Sequence, residues 1–156
     1  MTNINWQRRF IRMAQHIAMD WSKDPSTKVG CVLVQPSTNA VIATGVNGFP
    51  RIVDEAPGRW QRPTKYLFVE HAERNAIYNA ARHGHATEGC HAYLNWNPVA
   101  SICADCARAF IQAGVVAVYG PPTKLVAYAG GDWLESAQVG RAMVREAGLE
   151  IGVIYG

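Results

Sequence analysis

Trp6, Phe10, Met13, Ala14, Ile17, Ala18 and Trp21 recur at helical spacing near the start of the chain, with Arg8, Arg9, Arg12 and Gln15 mainly on the opposite side. That stripe predicts an amphipathic helix from about Asn5 to about Trp21, broken by Ser22-Lys23-Asp24-Pro25-Ser26. The period then changes. Val29 to Gln35 and Ala40 to Gly45 are apolar, β-branched runs separated by Pro36-Ser37-Thr38-Asn39, which predicts an antiparallel hairpin. Gly45-Val46-Asn47-Gly48-Phe49-Pro50 leads into a polar loop from Arg51 to Lys65. Arg51, Arg59, Arg62 and Lys65 there face Asp54 and Glu55, and a loop of that length inside a compact domain is usually functional or disordered.

Helical spacing returns at His71, with Ala72, Ala76, Ile77, Ala80 and Ala81 on one side and a stop around His83-Gly84. His91 to Trp96 reads as a strand and Asn97 to Ile102 as a loop. A helix follows from about Cys103 to Gln112, ended by Ala113-Gly114, and Val115 to Tyr119 reads as a further strand. Asp132, as N-cap with Glu135 at N3, opens a last helix running to Ala147 and closed by Gly148 at C′; Leu149 to Tyr155 is a short final strand. Strand and helix alternate after a leading hairpin. The expected fold class is therefore α/β, a three-layer α/β/α sandwich on a mixed five-stranded sheet.

Composition narrows the class. With 156 residues, 49% hydrophobic and 17% charged, the chain is sized for one folded domain over residues 1–156 with a real core. Its apolar runs are too short to span a bilayer, and Met1-Thr2-Asn3-Ile4-Asn5 lacks the basic and apolar regions of a signal peptide, so a cytoplasmic protein without membrane partners is expected. A formal charge of +3 is mild; it suits a phosphorylated small molecule better than a polynucleotide. Four cysteines without an export signal are expected as metal ligands or buried thiols; Cys103 and Cys106 are close partners, while Cys31 and Cys90 stand apart.

The candidate chemistry lies in His71-Ala72-Glu73 and Cys103-Ala104-Asp105-Cys106. Cys103 and Cys106, three apart at a helix start, project on one face, where the positive helix end lowers thiol pKa values. One imidazole and two thiolates leave a tetrahedral zinc a vacant position, the arrangement of a catalytic zinc ion. Glu73 is not needed as a ligand and stands two residues past His71, placed to move protons to and from a water made acidic by the metal. Taken alone, the C-x-x-C could be a redox pair and His71 an ordinary histidine. Together, H-x-E ahead of C-x-x-C matches the pattern of zinc-dependent nucleobase deaminases.

In order along the chain, Ser22-Lys23-Asp24-Pro25 with Val29-Gly30, Gly45-Val46-Asn47-Gly48, Thr64-Lys65-Tyr66, His71-Ala72-Glu73-Arg74-Asn75-Ala76-Ile77, Cys103-Ala104-Asp105-Cys106-Ala107-Arg108 and Ile111-Gln112-Ala113-Gly114-Val115 resemble the blocks of deoxycytidylate (dCMP) deaminases. The resemblance covers roughly Trp6 to Tyr119 and is looser beyond. It implies a cytidine deaminase-like fold, a homo-oligomer (dimer or hexamer), and hydrolytic deamination of dCMP to dUMP, the precursor of thymidylate. It further implies one Zn²⁺ held by His71, Cys103 and Cys106, with Glu73 as proton donor. Asn47 is implied to contact the nucleotide at its sugar, and Lys23, Ala72 and Tyr66 are the remaining candidates for substrate contacts, with Lys28 beside Lys23 and Phe68 beside Tyr66.

Three features depart from that pattern. Ile102 stands where the family places a proline before the first zinc cysteine, with Pro98 as its displaced counterpart, so a CMP, dCTP or 5-substituted dCMP substrate is the alternative. Val46 stands where regulated relatives carry tyrosine, which implies a weakened response to dCTP and dTTP. His83, His85, Cys90 and His91 resemble a second metal site but lack tight ligand spacing and read as a helix-end loop. A tRNA adenosine deaminase would need a basic surface, and a riboflavin-pathway deaminase a longer cysteine block. The alternative from another class is a non-catalytic, zinc-stabilised nucleotide-binding module, in which Glu73 has no function.

Overall fold

The computed structural model describes residues 4–123 and 131–155. Chain order is α1 (Ile4–Trp21), β1 (Gly30–Gln35), β2 (Ala40–Val46), a 3₁₀ turn (Pro57–Trp60), α2 (Lys65–Phe68), α3 (Ala72–Arg82), β3 (His91–Leu94), α4 (Pro98–Ser101), α5 (Ala104–Gln112), β4 (Ala117–Gly120), α6 (Gly131–Glu146) and β5 (Glu150–Val153). The five strands form one mixed sheet in the order β2-β1-β3-β4-β5. β1 pairs antiparallel with β2 and β3, whereas β3–β4 and β4–β5 are parallel. The expected hairpin and the later strand–helix alternation thus meet in a single sheet.

The central strands are buried on both faces, and successive side chains divide between two cores. Val32 and Val34 of β1, Tyr93 of β3, and Ala117 and Tyr119 of β4 pack against Phe10, Ile11, Ala14 and Ile17 of α1. Cys31, Leu33, Ala92, Leu94 and Val118 point the other way, into α3, α5 and Val144 of α6. This gives the three-layer α/β/α sandwich. The stripe of α1 is buried at Phe10, Ala14, Ile17 and Ala18, but Trp21, the last residue of the helix, is exposed. Among the described residues no helix is long and apolar enough to cross a membrane.

The structure shortens the expected strands: His91–Trp96 pairs only to Leu94, and Val115–Tyr119 becomes Ala117–Gly120. Val115 and Val116 serve as a connection, their amides donating to Phe110 and Cys90 carbonyls. The expected loop over 51–65 contains the 3₁₀ turn, whose Trp60 stacks on Phe49 at 4.3 Å. The loop over 97–102 contains the single turn α4, capped by the Asn97 side chain accepting from Val99 N–H. α6 begins before Asp132; the capping role expected of that side chain falls outside the described ones.

One contact fixes where α3 starts. A Cβ on Gly45 of β2 would stand 2.3 Å from both the Ala72 carbonyl oxygen and the Ala76 nitrogen, so only glycine lets β2 lie against the first two turns of α3. Both obstacles are backbone, which cannot move aside as a flexible side chain would. Gly45→Ala is expected to destabilise the fold by about 3 kcal/mol, at the upper end for overpacking. Urea unfolding checks it; a loss under about 1 kcal/mol would contradict the packing described.

Candidate active site

His71 and Cys103 are both N-cap residues. Each has an extended backbone (φ −77°, ψ 151° and φ −74°, ψ 166°) immediately before α3 and α5. A cap residue directs its side chain across the open end of its helix, where the first amides lack intrahelical partners. Cys103 Sγ accepts from the Cys106 N–H at 3.5 Å, in the place usually taken by a serine or aspartate oxygen. Cys106, one turn inside α5, is fully buried. The two helix starts meet, and His71 Nδ1 lies 3.5 Å from Cys103 Sγ and 3.4 Å from Cys106 Sγ.

These donors fit zinc. Zn–N near 2.0–2.1 Å and Zn–S near 2.3 Å at a tetrahedral angle imply an N···S edge of about 3.6 Å. The three donor atoms lie within 4.8 Å of one another, and theirs is the one metal-capable group of three or more among the described residues. The charge state agrees. Cys103 is pulled down to about 4 by the Cys106 thiol donating to it and by His71, against its own burial. Burial would lower the His71 pKa, but the hydrogen bond to Cys103 and the charges of Glu73 and Cys103 raise it to about 9. The Cys106 thiol, donating to Cys103 and buried, is pushed well above its ordinary value. The pocket therefore holds positive charge between the sulfurs, and a zinc ion would displace the protons of His71 and Cys106.

Glu73 projects beside this group and is only 5% exposed. Burial raises its pKa, and the Cys103 charge adds to that, while His71 and Arg74 oppose it. A carboxyl whose pKa is moved up toward neutrality is a stronger base than an ordinary glutamate and takes a proton more readily. Behind it, burial and the Glu73 charge push the Cys31 thiol well up, so this cysteine stays neutral.

His71, Glu73 and Cys103 open into a cavity of about 660 Å³ with apolar walls at Val29, Leu94, Trp96 and Trp133. Part of its wall is a polar network. Lys65 Nζ is buried and held 2.6 Å from Asp24 Oδ2, 2.8 Å from Asp24 Oδ1 and 3.0 Å from Ser26 Oγ. Burial would raise the Asp24 pKa, but Lys65 and the Ser26 and Thr27 amides outweigh it and lower it. Asn47 lines the cavity, and its amide is fully engaged: Nδ2 donates to Asp24 Oδ2 and the Thr27 carbonyl, while Oδ1 accepts from Ser22 Oγ and Val29 N–H. It fastens the 22–29 segment to the wall.

The other expected substrate contacts divide. Ala72 and the exposed Tyr66 line the cavity. Lys23 is not among the lining residues; it is 72% exposed and paired with Glu55 at 2.9 Å. Lys28 donates to the carbonyls of Met19 and Ser22, and Phe68 packs on Phe49 outside the lining. His83, His85, Cys90 and His91 form no metal-capable group: Cys90 Sγ donates to the Ala86 carbonyl, and the His91 ring packs on Tyr93 and Tyr119. Sequence reasoning missed Ser136. From α6 it accepts the Ala104 N–H at 3.0 Å and so caps the start of α5. Nothing in its spacing marks it. Nearby, a Cβ on Gly140 would stand 2.4 Å from the Ile102 carbonyl oxygen, so α6 rests directly on the backbone leading into Cys103.

The family described as the cytidine and deoxycytidylate deaminase zinc-binding region matches residues 4–120. The chain is 37% identical to an "uncharacterized deaminase in luxG 3'region" of Aliivibrio fischeri, over 94% of this chain and 91% of that one. It is 39% identical to a probable deoxycytidylate deaminase of Caenorhabditis elegans and 34% identical to the human deoxycytidylate deaminase, each over 72% of this chain. It spans 55% and 62% of those two proteins. The dCMP deaminase of cyanophage S-TIM5, solved with dCMP and dUMP, has the same fold, with a TM-score of 0.73 at 22% identity over 98% of this chain and 99% of that one.

The polar wall sets an acid limit on stability. Because the folded pKa of Asp24 is depressed, its contribution is present above the unfolded carboxylate value near 3.9 and is lost as pH falls through the folded value. Asp24→Asn strands Lys65 in the wall and is expected to cost about 3–5 kcal/mol at neutral pH. The gap to wild type should shrink below about pH 4, as urea unfolding at pH 7 and pH 3 would show. An equal gap at both would contradict the ion pair.

Proposed function

The chain belongs to the cytidine and deoxycytidylate deaminase family, and from that membership we propose that it hydrolyses dCMP to dUMP and ammonia as a single zinc-dependent deaminase domain, a homo-oligomer of the cytoplasm. One observation carries the reading. A buried carboxyl with a raised pKa, Glu73, shares the floor of the cavity with His71 and Cys103. A closed structural metal site has no use for such a group.

In this reading His71 Nδ1, Cys103 Sγ and Cys106 Sγ hold the ion. When bound, zinc supplies Lewis acidity that brings the pKa of a water to about 7. Glu73 accepts a proton from the water that attacks C4 of the cytosine and passes it to ring N3. It next takes the remaining hydroxyl proton and gives it to the exocyclic amine, which departs as ammonia. The carbonyl of the uracil forms as the C–N bond breaks, and Glu73 ends ionised. Ala72, at the first turn of α3, supports the base; Trp96, Trp133 and Leu94 exclude bulk water from it. Asn47 acts on the sugar end through the wall that it fastens.

The phosphate is assigned to the rim. Arg62 and Lys65 are the cations of the 51–65 loop that line the cavity, and Lys65 is committed to Asp24. Arg62, beside the exposed Tyr66 ring and within reach of Thr27 Oγ1, is the proposed phosphate contact, ahead of Lys23, which pairs with Glu55. A second reading has a specific support. Ser101 lines the cavity from α4, the turn that stands where the family pattern runs directly into a proline. That favours testing CMP, dCTP and 5-substituted dCMP beside dCMP.

Glu73→Gln should keep zinc and fold while ammonia release from dCMP falls by roughly 10²–10⁴-fold, the range for general acid–base groups. Turnover within about tenfold of wild type would refute the shuttle assignment. Arg62→Ala should raise KM for dCMP and leave KM for deoxycytidine, which has no phosphate, where it was; equal rises for both would remove Arg62 from the phosphate site.

A further inference from the structure

The three metal donors arrive on two separate helices, and a short chain of ion pairs and hydrogen bonds joins the starts of those helices through Arg74. We propose that Arg74 is a positioning residue for the metal site: it fixes the separation of the helix starts that carry His71, Cys103 and Cys106. The proposal rests on the zinc reading of that site and adds to it a residue that is neither ligand nor proton shuttle.

The need for such a brace is physical. His71 caps α3 and Cys103 caps α5, so two positive helix ends lie close together and repel unless negative charge stands between them. The donor distances of 3.4 and 3.5 Å must nevertheless persist for an ion to find its ligands in place. Arg74, in the first turn of α3, reaches both sides. Its Nη1 lies 3.1 Å from Asp105 Oδ2 on α5, and its Nη2 pairs with Glu70 Oε1. That same Glu70 oxygen accepts the backbone N–H of His71 at 2.9 Å. The chain therefore runs from Asp105, which stands between the two cysteines, through Arg74 and Glu70 to the amide of the histidine ligand. On the far side Arg108 pairs with Asp105 Oδ1 and sets the carboxylate plane.

The guanidinium is suited to this task and an ammonium is not. A planar fork donates in two fixed directions at once, whereas lysine offers one point of charge. The Arg74 side chain is mostly buried, 19% exposed, and reaches out to Asp105, which is 54% exposed. Contacts of this kind around metal ligands commonly matter ~10–100-fold in metal affinity.

The test uses the zinc-loaded protein with Arg74→Met, Arg74→Lys, Asp105→Asn and the double variant Arg74→Met/Asp105→Asn. Zinc affinity is measured by chelator competition, and thermal melting at saturating zinc. Arg74→Met is expected to weaken zinc ~10–100-fold, and Arg74→Lys to recover only part of the loss. Asp105→Asn should weaken it in the same direction, and the double variant should be no weaker than Arg74→Met, because both substitutions cut one chain. Affinities within roughly twofold of wild type, or a double loss equal to the product of the single losses, would overturn the proposal. So would a lowered melting temperature with unchanged affinity, the outcome of a merely structural role. Should Arg74→Met fail to fold, Asp105→Asn, at a half-exposed position, decides alone. A wild-type protein that binds no zinc would overturn the metal reading along with the brace; zinc bound equally by wild type and variants would overturn the brace alone.

Discussion

The site depends on two helix N-termini brought close together. Such an encounter is unfavourable by itself, since each end carries unpaired amides and partial positive charge. It becomes favourable when negative charge is placed in the gap, and the Cys103 thiol, pulled down to about 4 by Cys106 and His71, is suited to supply it. The same balance leaves a place for a dication between the donors. The sandwich supports this meeting from both sides: Gly45 lets β2 press on the start of α3, and Gly140 and Ser136 let α6 rest on the backbone entering α5. Residues far from the metal in sequence thereby fix its ligands.

The cavity brings two kinds of surface together. His71, Cys103 and Glu73 line it along with Asp24, Lys65 and Asn47, which with Ser22 form a polar network. That network is costly to desolvate and is stable only because nearly every polar group in it is paired. A paired polar lining beside a metal-binding group suits a site that must hold a small polar molecule in one orientation. Arg62 and Tyr66 lie on the open rim, where a charged end of the substrate would stay wet.

Much of this was legible in the sequence because its causes are local. H-x-E at a helix start and cysteines at i and i+3 constrain geometry within one helical turn, so the donor set that the structure brings together could be read without the fold. The alternation of Val32 and Val34 against Cys31 and Leu33 likewise follows from strand geometry alone. What could not be read depends on contacts across the chain. The Asp24–Lys65 pair joins residues 41 apart, and nothing in the 51–65 loop distinguishes Lys65, which is buried, from Lys23, which is not in the wall at all. Asn47 was legible as a site residue but not as one whose amide is fully engaged. Trp21 continues the helical stripe of α1 yet is exposed, an end to the buried stripe that periodicity cannot mark. Ser136 carries no pattern of its own.

The central claim is an open zinc site with three protein donors. Zinc K-edge X-ray absorption on the purified protein measures it directly. The account predicts a four-coordinate ion with two sulfurs near 2.3 Å, one imidazole nitrogen near 2.0 Å and one oxygen. A shell of four protein donors with no oxygen would identify a closed structural site and contradict it.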